Sequence, residues 1–525
     1  MDTKALRQKI LDLAIRGKLV PQNPNDEPAS VLLERIRAEK QQMVKDGKLK
    51  AKDIKNDTVI FLGDDNLHYE KFPDGTVKCI EDEIPFELPE GWEWTRLQAI
   101  CEPITDGTHK TPTYSDEGFI FLSSKNVTSG HIDWDNIMYI PESLHNELYA
   151  RLAPQKNDIL LAKNGTTGVA AIVDRDCIFD IYVSLALLRI IGYIISPEYL
   201  LSTIASSTIQ NYFKSSLKGI GVPNLHLEHI RTTLIPVAPI NEQYRIATKL
   251  EQLLSFADNI ESDKTDLQTT IQLTKSKILD LAIRGKLVPQ NPDDEPASVL
   301  LERIRAEKEE LIKQGKIKRD KKESVIFRGE DNSYYLRMGN LIETLDDWRI
   351  NDIPYSWGIC CLGEVCDYGN CTNVDTKDIP KTAWILDLED IEKDTGKVSQ
   401  KLTLKERNSA STKHSFHKGQ VLYSKLRPYL NKVVLVDDDG YCTSEILPLD
   451  FNKYILPEYA KYYLMSPTFL RYANHCSYGV KMPRLGTLDG RKAVLIVPPV
   501  NEQKRIADKV SQLFSLLDSI ADNVN

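Results

Sequence analysis

The residues best suited to chemistry lie in short polar, often basic loops. In the first half of the chain they are 106–113 (DGTHKTPT), 123–126 (SSKN), 163–167 (KNGTT) and 214–224. In the second half they are 424–432 (SKLRPYLNK) and 481–484 (KMPR), with Lys377 and Lys381 nearby. Arg and Lys can take guanine O6 and N7, Asn can take adenine, and Ser or Thr can reach a base or a phosphate. The candidate contacts to double-stranded DNA are therefore Thr108, His109, Lys110, Thr111, Lys125, Asn126, Lys163, Asn164, Lys218 and Asn224, then Lys425, Arg427, Lys432, Lys481 and Arg484. Any one of these loops alone is most often a solvated turn. Their recurrence at equivalent places in both halves gives them weight.

Catalytic patterns are missing from the sequence. There is no GxxxxGK[ST] phosphate loop and no GxGxxG cofactor loop after a strand. No Asn/Asp-Pro-Pro-aromatic tetrapeptide is present, since Val497-Pro498-Pro499-Val500 lacks the polar and aromatic members. Cys360, Cys361, Cys366 and Cys371 do not follow a zinc-site spacing and have no nearby His, so ordinary thiols are expected. No catalytic residue and no metal ligand is expected.

The elements that must position the loops come in repeats. KILDLAIRGKLVPQNPNDEPASVLLERIRAEK at residues 9–40 returns at 277–308 with one change, Asn25 against Asp293. A second pair, NEQYRIATKL from Asn241 and NEQKRIADKV from Asn501, runs out of phase with the first: the offsets are 268 and 260 residues. In the middle of the chain the second segment leads directly into the first. At the ends the same unit is split between the C-terminus and the N-terminus. The chain thus reads as a circle of two equivalent halves, cut inside one copy of the repeat.

Apolar residues at alternating spacings of four and three, Ile246, Leu250, Leu253, Ala257, Ile260, Leu267, Ile271, Ile278 and Leu281, predict a helix with a heptad seam. No Pro or Gly interrupts it before Gly285, so about 44 residues would span about 66 Å. The split copy repeats the seam through Ile506, Val510, Leu513, Leu517 and Ile520, then Leu6, Ile10 and Leu13. DEPASVLLERIRAEK adds a second amphipathic helix to each copy, followed by a basic run that is expected to be solvent-facing.

Between the helical parts lie two divergent regions with parallel punctuation, such as PEYLLSTIASSTIQNYF against PEYAKYYLMSPTFLRYA and GIGVPNL against GVKMPRL. Each is expected to be α+β, built of short strands with one helix after Pro-Glu-Tyr. The expected division is 1–55 (N-terminal part of the split helical region), 85–238 (first divergent region), 239–322 (central helical region), 345–498 (second divergent region) and 499–525 (the helix completing the split region).

The chain has 525 residues and a net charge of −9, which excludes a globally basic nucleic-acid binder. The first divergent region is acidic by about six charges and the second is about neutral. Phosphate contact rewards Lys and Arg, so a partner is expected to supply part of the grip on DNA. No apolar run reaches a membrane span, the N-terminus carries no apolar leader, and nine cysteines fit free thiols, so a cytoplasmic protein is expected.

Over essentially its whole length the chain resembles the specificity subunits of type I restriction–modification systems. The resemblance is carried by DGTHKTPTY, DILLAKNGTTG, PINEQYRIA, VNEQKRIA, VLYSKLRPYLNK and both copies of LDLAIRGKLVPQNP. It implies two pseudo-twofold-related target-recognition domains, separated by two long antiparallel coiled-coil helices in a cyclic arrangement. It also implies a non-catalytic role: each domain reads one half of a bipartite DNA target, and the helices set the spacer and dock two adenine-N6 methyltransferase subunits. Asn241, Gln243, Arg245, Asn501, Gln503 and Arg505 are the candidate partner contacts. S-adenosylmethionine, ATP and Mg2+ would be used by those methyltransferase subunits and by two possible restriction subunits, with no cofactor bound by this chain. The alternatives are a self-sufficient DNA methyltransferase with fused recognition domains and a coiled-coil scaffold with no DNA role.

Overall fold

A computed structural model describes residues 2–524 apart from 129, 218–222, 318–323, 332, 346–352, 408 and 452. The chain divides into two compact units, Met1–Asp263 and Lys264–Asn525. Both are mixed helix and strand. The stretch free of Gly and Pro forms one continuous helix, Ile240–Ile283, of 44 residues, which is divided between the two units. Its seam is selectively covered: Ile246, Leu250, Ala257, Ile271 and Ile278 are buried, while Phe256 and Leu273 beside them are exposed.

In the first unit the helix Thr3–Ile15 is capped by the Asp2 carboxylate, which accepts from the Ala5 N–H. It packs Ile10, Leu11 and Ala14 into a core with Trp92, Ile246 and Leu250. In the second unit Ile278, Leu279 and Ala282 join Trp357, Ile506 and Val510 of the final helix, Val500–Val524. The polar edges of these pairings match too. Arg7 pairs with Asp258 and Glu261, and its counterpart Lys275 pairs with Asp518. Both helices stop at a glycine with positive φ, Gly17 (+62°) and Gly285 (+67°). A Cβ there would lie 2.5 Å from Pro89 Cγ or 2.3 Å from Pro354 Cγ, so only glycine both turns the chain and admits the proline.

Each divergent region is tied shut at its base by an antiparallel strand pair: Glu93–Arg96 with Leu234–Val237, and Gly358–Cys361 with Val494–Val497. Above it in the first unit lie a four-stranded sheet, centred on Leu185–Leu188 and Ile159–Ala162, and a three-stranded sheet around Phe119–Leu122. The second unit has a five-stranded sheet through Lys413–Phe416 and Gly440–Thr443, and a three-stranded one around Val421–Ser424. Two helices, not the expected one, follow each Pro-Glu-Tyr. They are Pro197–Ala205 and Ser207–Ser215 in the first unit, and Pro457–Leu464 and Pro467–Cys476 in the second. The break falls at Ser206, whose backbone is extended (ψ 153°), and at Ser466, which caps the next helix by accepting from the Phe469 N–H.

The segments between helical part and divergent region also fold. Ala29–Lys45 and Ala297–Lys313 are the second amphipathic helices, each followed by a three-stranded antiparallel meander: Val59–Leu62, His68–Lys71 and Val77–Cys79, and then Ser324–Arg328, Tyr334–Met338 and Leu341–Thr344. These strands are short and half-exposed, so the apolar alternation that marks a strand in sequence is weak.

The NEQ segments clasp each region to its helix. Gln243 and Gln503 are completely buried. Gln243 donates to the Ala238 carbonyl (2.8 Å) and accepts from the Ser196 N–H (2.9 Å). Gln503 donates to the Pro498 and Tyr454 carbonyls and accepts from the Leu456 N–H (2.8 Å). Beside them, Glu242 accepts from the Trp92 indole (3.1 Å) and Glu502 from that of Trp357 (2.9 Å). Arg245 meets Asp26 and Arg505 meets Asp294, each at 2.6 Å, and Asn241 and Asn501 donate to the same two aspartates.

Burial raises the carboxyl pKa of Glu242 and Glu502 above the usual 4.5, and the indole hydrogen bond only partly opposes it. A carboxylate with a raised folded pKa contributes stability that is full below 4.5 and lost as pH rises through the folded value. Glu502→Gln, which keeps an acceptor for Trp357, is therefore expected to raise the melting temperature at pH 7, with the gain shrinking as the pH falls toward 4.5. Glu502→Leu leaves the buried indole N–H unpaired and should cost about 1–3 kcal/mol. Thermal melts of both variants across that pH range check the sign.

Candidate nucleic-acid interface

In both units the loop after a central buried strand is stitched to the loop before the base strand. In the second unit Leu485 N–H donates to the Lys425 carbonyl (3.0 Å), Leu426 bridges Arg484, and Arg427 N–H donates to the Pro483 carbonyl (2.7 Å). In the first, Leu225 N–H donates to the Lys163 carbonyl (2.9 Å) and Asn164 bridges Asn224. The same backbone link thus carries Lys163, Asn164 and Asn224 in one unit and Lys425, Leu426 and Arg484 in the other.

The candidate residues divide into those that face solvent and those held inside. His109, Lys110, Thr111, Lys125 and Lys481 are exposed, and Thr108, Asn164, Asn224, Lys425 and Arg427 are half-buried. Lys163, by contrast, is 6% exposed and forms an ion pair with buried Asp106. Asp106 also accepts from the His109 ring (3.2 Å), and its carbonyl accepts from Arg151 (2.9 Å). Gly107 lets this loop press on a strand: a Cβ there would lie 1.9 Å from the Ile181 carbonyl oxygen.

Asn126 is buried, its amide oxygen accepting from Ser123 N–H and its nitrogen donating to the Asp133 and Asn136 carbonyls. Lys432 donates to the Leu388 carbonyl (2.5 Å), and burial lowers its pKa. Arg484 lies on Glu445 with three contacts of 2.9–3.2 Å. In this structure Lys163, Asn126, Lys432 and Arg484 brace the loops that present their neighbours. Lys218 lies outside the described residues.

Arg427 (φ 50°) and Asn431 (φ 48°) adopt left-handed backbone at either end of the turn Pro428–Leu430. Asn431 is held by donating to the Met465 carbonyl (3.1 Å). A long cationic side chain on strained backbone is a feature found at ligand-binding positions. The Arg427 Nε is buried without a hydrogen-bond partner.

Of the candidate partner contacts, Gln243 and Gln503 have no exposed surface, and Arg245 and Arg505 are engaged with Asp26 and Asp294. Sequence reasoning passed over another equivalent pair: Phe256 and Leu516 are 62% and 56% exposed on the two NEQ helices. Both are large apolar side chains held in solvent at matching positions of the repeat. The signal was in the sequence, as apolar residues off the seam.

Among the described residues, no cluster of His, Cys, Asp and Glu could hold a metal ion, and no helix is long and apolar enough to cross a membrane. Cys360, Cys361 and Cys366 are buried, and burial pushes their thiols well up, away from the reactive thiolate.

The family described as type I restriction modification DNA specificity domain matches residues 89–268 and 354–524, the two divergent regions with their adjoining helices. The chain belongs to that family. It is 31% identical over 431 residues to the specificity subunit of the type I restriction enzyme EcoAI of Escherichia coli, covering 70% of this chain and 63% of that protein. With the EcoEI specificity subunit of the same organism it shares 25% identity over 98% of this chain and 90% of the relative. The crystal structure of the HsdS subunit from Thermoanaerobacter tengcongensis is 18% identical, with a TM-score of 0.43, covering 84% of this chain and 94% of that one.

The bracing and presenting roles separate by experiment. Asp106→Ala strands a buried ammonium and is expected to destabilise the chain by about 3–5 kcal/mol, measured by denaturant unfolding. Lys425→Ala should leave stability within about 0.5 kcal/mol, because the side chain makes no buried pair. If Lys425 meets a phosphate, the same change lowers the slope of log affinity against log salt by about one.

Proposed function

We propose that this chain is the non-catalytic, sequence-reading subunit of a type I restriction–modification complex. Each unit reads one half of a bipartite DNA target through its paired loops. The observation that carries this reading is the same backbone link in both units, Leu225 to Lys163 and Leu485 to Lys425, with different residues beside it, Asn164 and Asn224 in one and Leu426 and Arg484 in the other. Family membership supports it independently. A repeated scaffold with divergent loops suits two different half-sites on one duplex.

The finer arrangement belongs to the same proposal. The two long helical regions act as an antiparallel coiled coil that sets the spacer between half-sites. The pairings of Arg7 with Asp258 and of Lys275 with Asp518, at matching positions of the repeat, support it. The two recognition domains correspond to residues 85–238 and 345–498. Two methyltransferase subunits dock on the helices, with Phe256 and Leu516 as apolar anchors beside the NEQ residues. Those partners bind S-adenosylmethionine and methylate adenine N6, and two restriction subunits using ATP and Mg2+ complete the nuclease, in the cytoplasm. A base methylated in duplex DNA must leave the stack, and the pocket that receives it belongs to the partner.

Incubation with labelled S-adenosylmethionine and genomic DNA tests the division of labour. The purified chain is expected to transfer no label alone, and to direct label to adenine N6 at a split motif once its methyltransferase subunits are added. Transfer by the chain alone would establish the fused-methyltransferase reading instead. Phe256→Ser with Leu516→Ser is expected to reduce co-purification of those subunits at least tenfold while leaving the melting temperature unchanged.

A further inference from the structure

The second unit carries an exposed apolar hairpin that the reading loops do not account for. Tyr478 and Arg484 exchange both backbone hydrogen bonds (3.1 and 2.9 Å), closing a tight loop over residues 479–483. Gly479, at φ +99°, makes the turn, with the Met482 carbonyl only 3.2 Å from where a Cβ would stand. The tip is fully solvent-exposed at Val480 (102%) and flanked by Met482 (47%) and Tyr478 (63%). Single exposed apolar residues are ordinary, but three within one short, braced finger form a patch.

Two further observations say what covers it. The finger is basic: Lys481 is exposed at its tip, and Arg427, whose backbone is bonded to Pro483, holds the unpartnered Nε. The first half of the sequence also repeats the pattern where the surrounding residues have diverged, with Gly219-Ile220-Gly221-Val222-Pro223 against Gly479-Val480-Lys481-Met482-Pro483. Positions without a role have no reason to stay β-branched or apolar in both copies of the pattern. Apolar tips flanked by cations match proteins that push a side chain between base pairs while holding phosphates beside it.

We propose that Val480, seconded by Met482, is a wedge that enters the base stack of the half-site read by the second unit. It loosens the step next to the adenine that a partner must extrude. Unstacking a step is costly, and a rigid apolar tip that occupies the gap offsets part of that cost. Lys481 and Arg427 hold the flanking backbone. The wedge rests on the DNA-reading role proposed above.

The test uses the full chain in complex with its methyltransferase subunits, on a duplex carrying the split motif that the complex methylates, with N6-methyladenine read strand by strand. Val480→Ser with Met482→Ser is expected to slow methylation of the second unit's half-site roughly tenfold or more while the other half-site keeps its rate. Removing the thymine base opposite that adenine, which pre-loosens the step, should restore most of the loss. An unchanged rate overturns the wedge. So does an equal fall at both half-sites, which would mark the finger as a partner contact or a folding element. A wild-type complex that methylates no split motif overturns the DNA-reading role itself.

Discussion

A buried glutamine amide at the root of each helix fixes where each variable region sits. Gln243 and Gln503 have no contact with water, and each amide is satisfied by carbonyls and an N–H of the region it holds. A buried amide that loses a partner costs its full desolvation, so the arrangement is directional as well as stable. The glutamate and arginine on either side reach a tryptophan before the base strand and an aspartate in the repeated loop. Three parts of the chain that are far apart in sequence meet at one point in each unit.

That clasp frees the rest of each region to change. At one matched place the two units solve burial in opposite ways. Arg96 meets Glu70 and Glu83 in the first unit, with Arg96 and Glu70 buried. The corresponding Cys361 and Leu336 of the second unit lie in an apolar cluster with Ile326 and Ile359. Well-packed apolar residues can replace a buried ion pair without loss of stability, so both solutions serve one scaffold. The reading loops follow the same logic: their backbone link is common and their side chains differ.

Much of this was legible in the sequence because the repeat is nearly exact and the heptad seam is periodic. The long helix, its glycine stop and the parallel punctuation of the two regions all follow from local residue preferences. What local preference could not show is long-range. Lys163, Asn126, Lys432 and Arg484 read as surface cations and amides. Asp106, the Asp133 carbonyl, the Leu388 carbonyl and Glu445, all distant in sequence or hidden by the fold, draw them inward. The NEQ residues likewise read as an exposed polar motif, although the glutamines are the most buried polar groups of their helices. The meanders were missed because their strands are short and bury little, the third strand of each, Val77–Cys79 and Leu341–Thr344, being exposed throughout.

The central claim is that two independent readers are held by one repeated clasp. The most direct measurement is a long-read methylome of cells making the methyltransferase subunits with this chain, without it, or with residues 345–498 replaced by the matching region of a relative. The account predicts N6-methyladenine at one split motif only when the chain is present, and a change in one half of that motif after the replacement. A methylome indifferent to the chain, or a replacement that alters both halves, would contradict it.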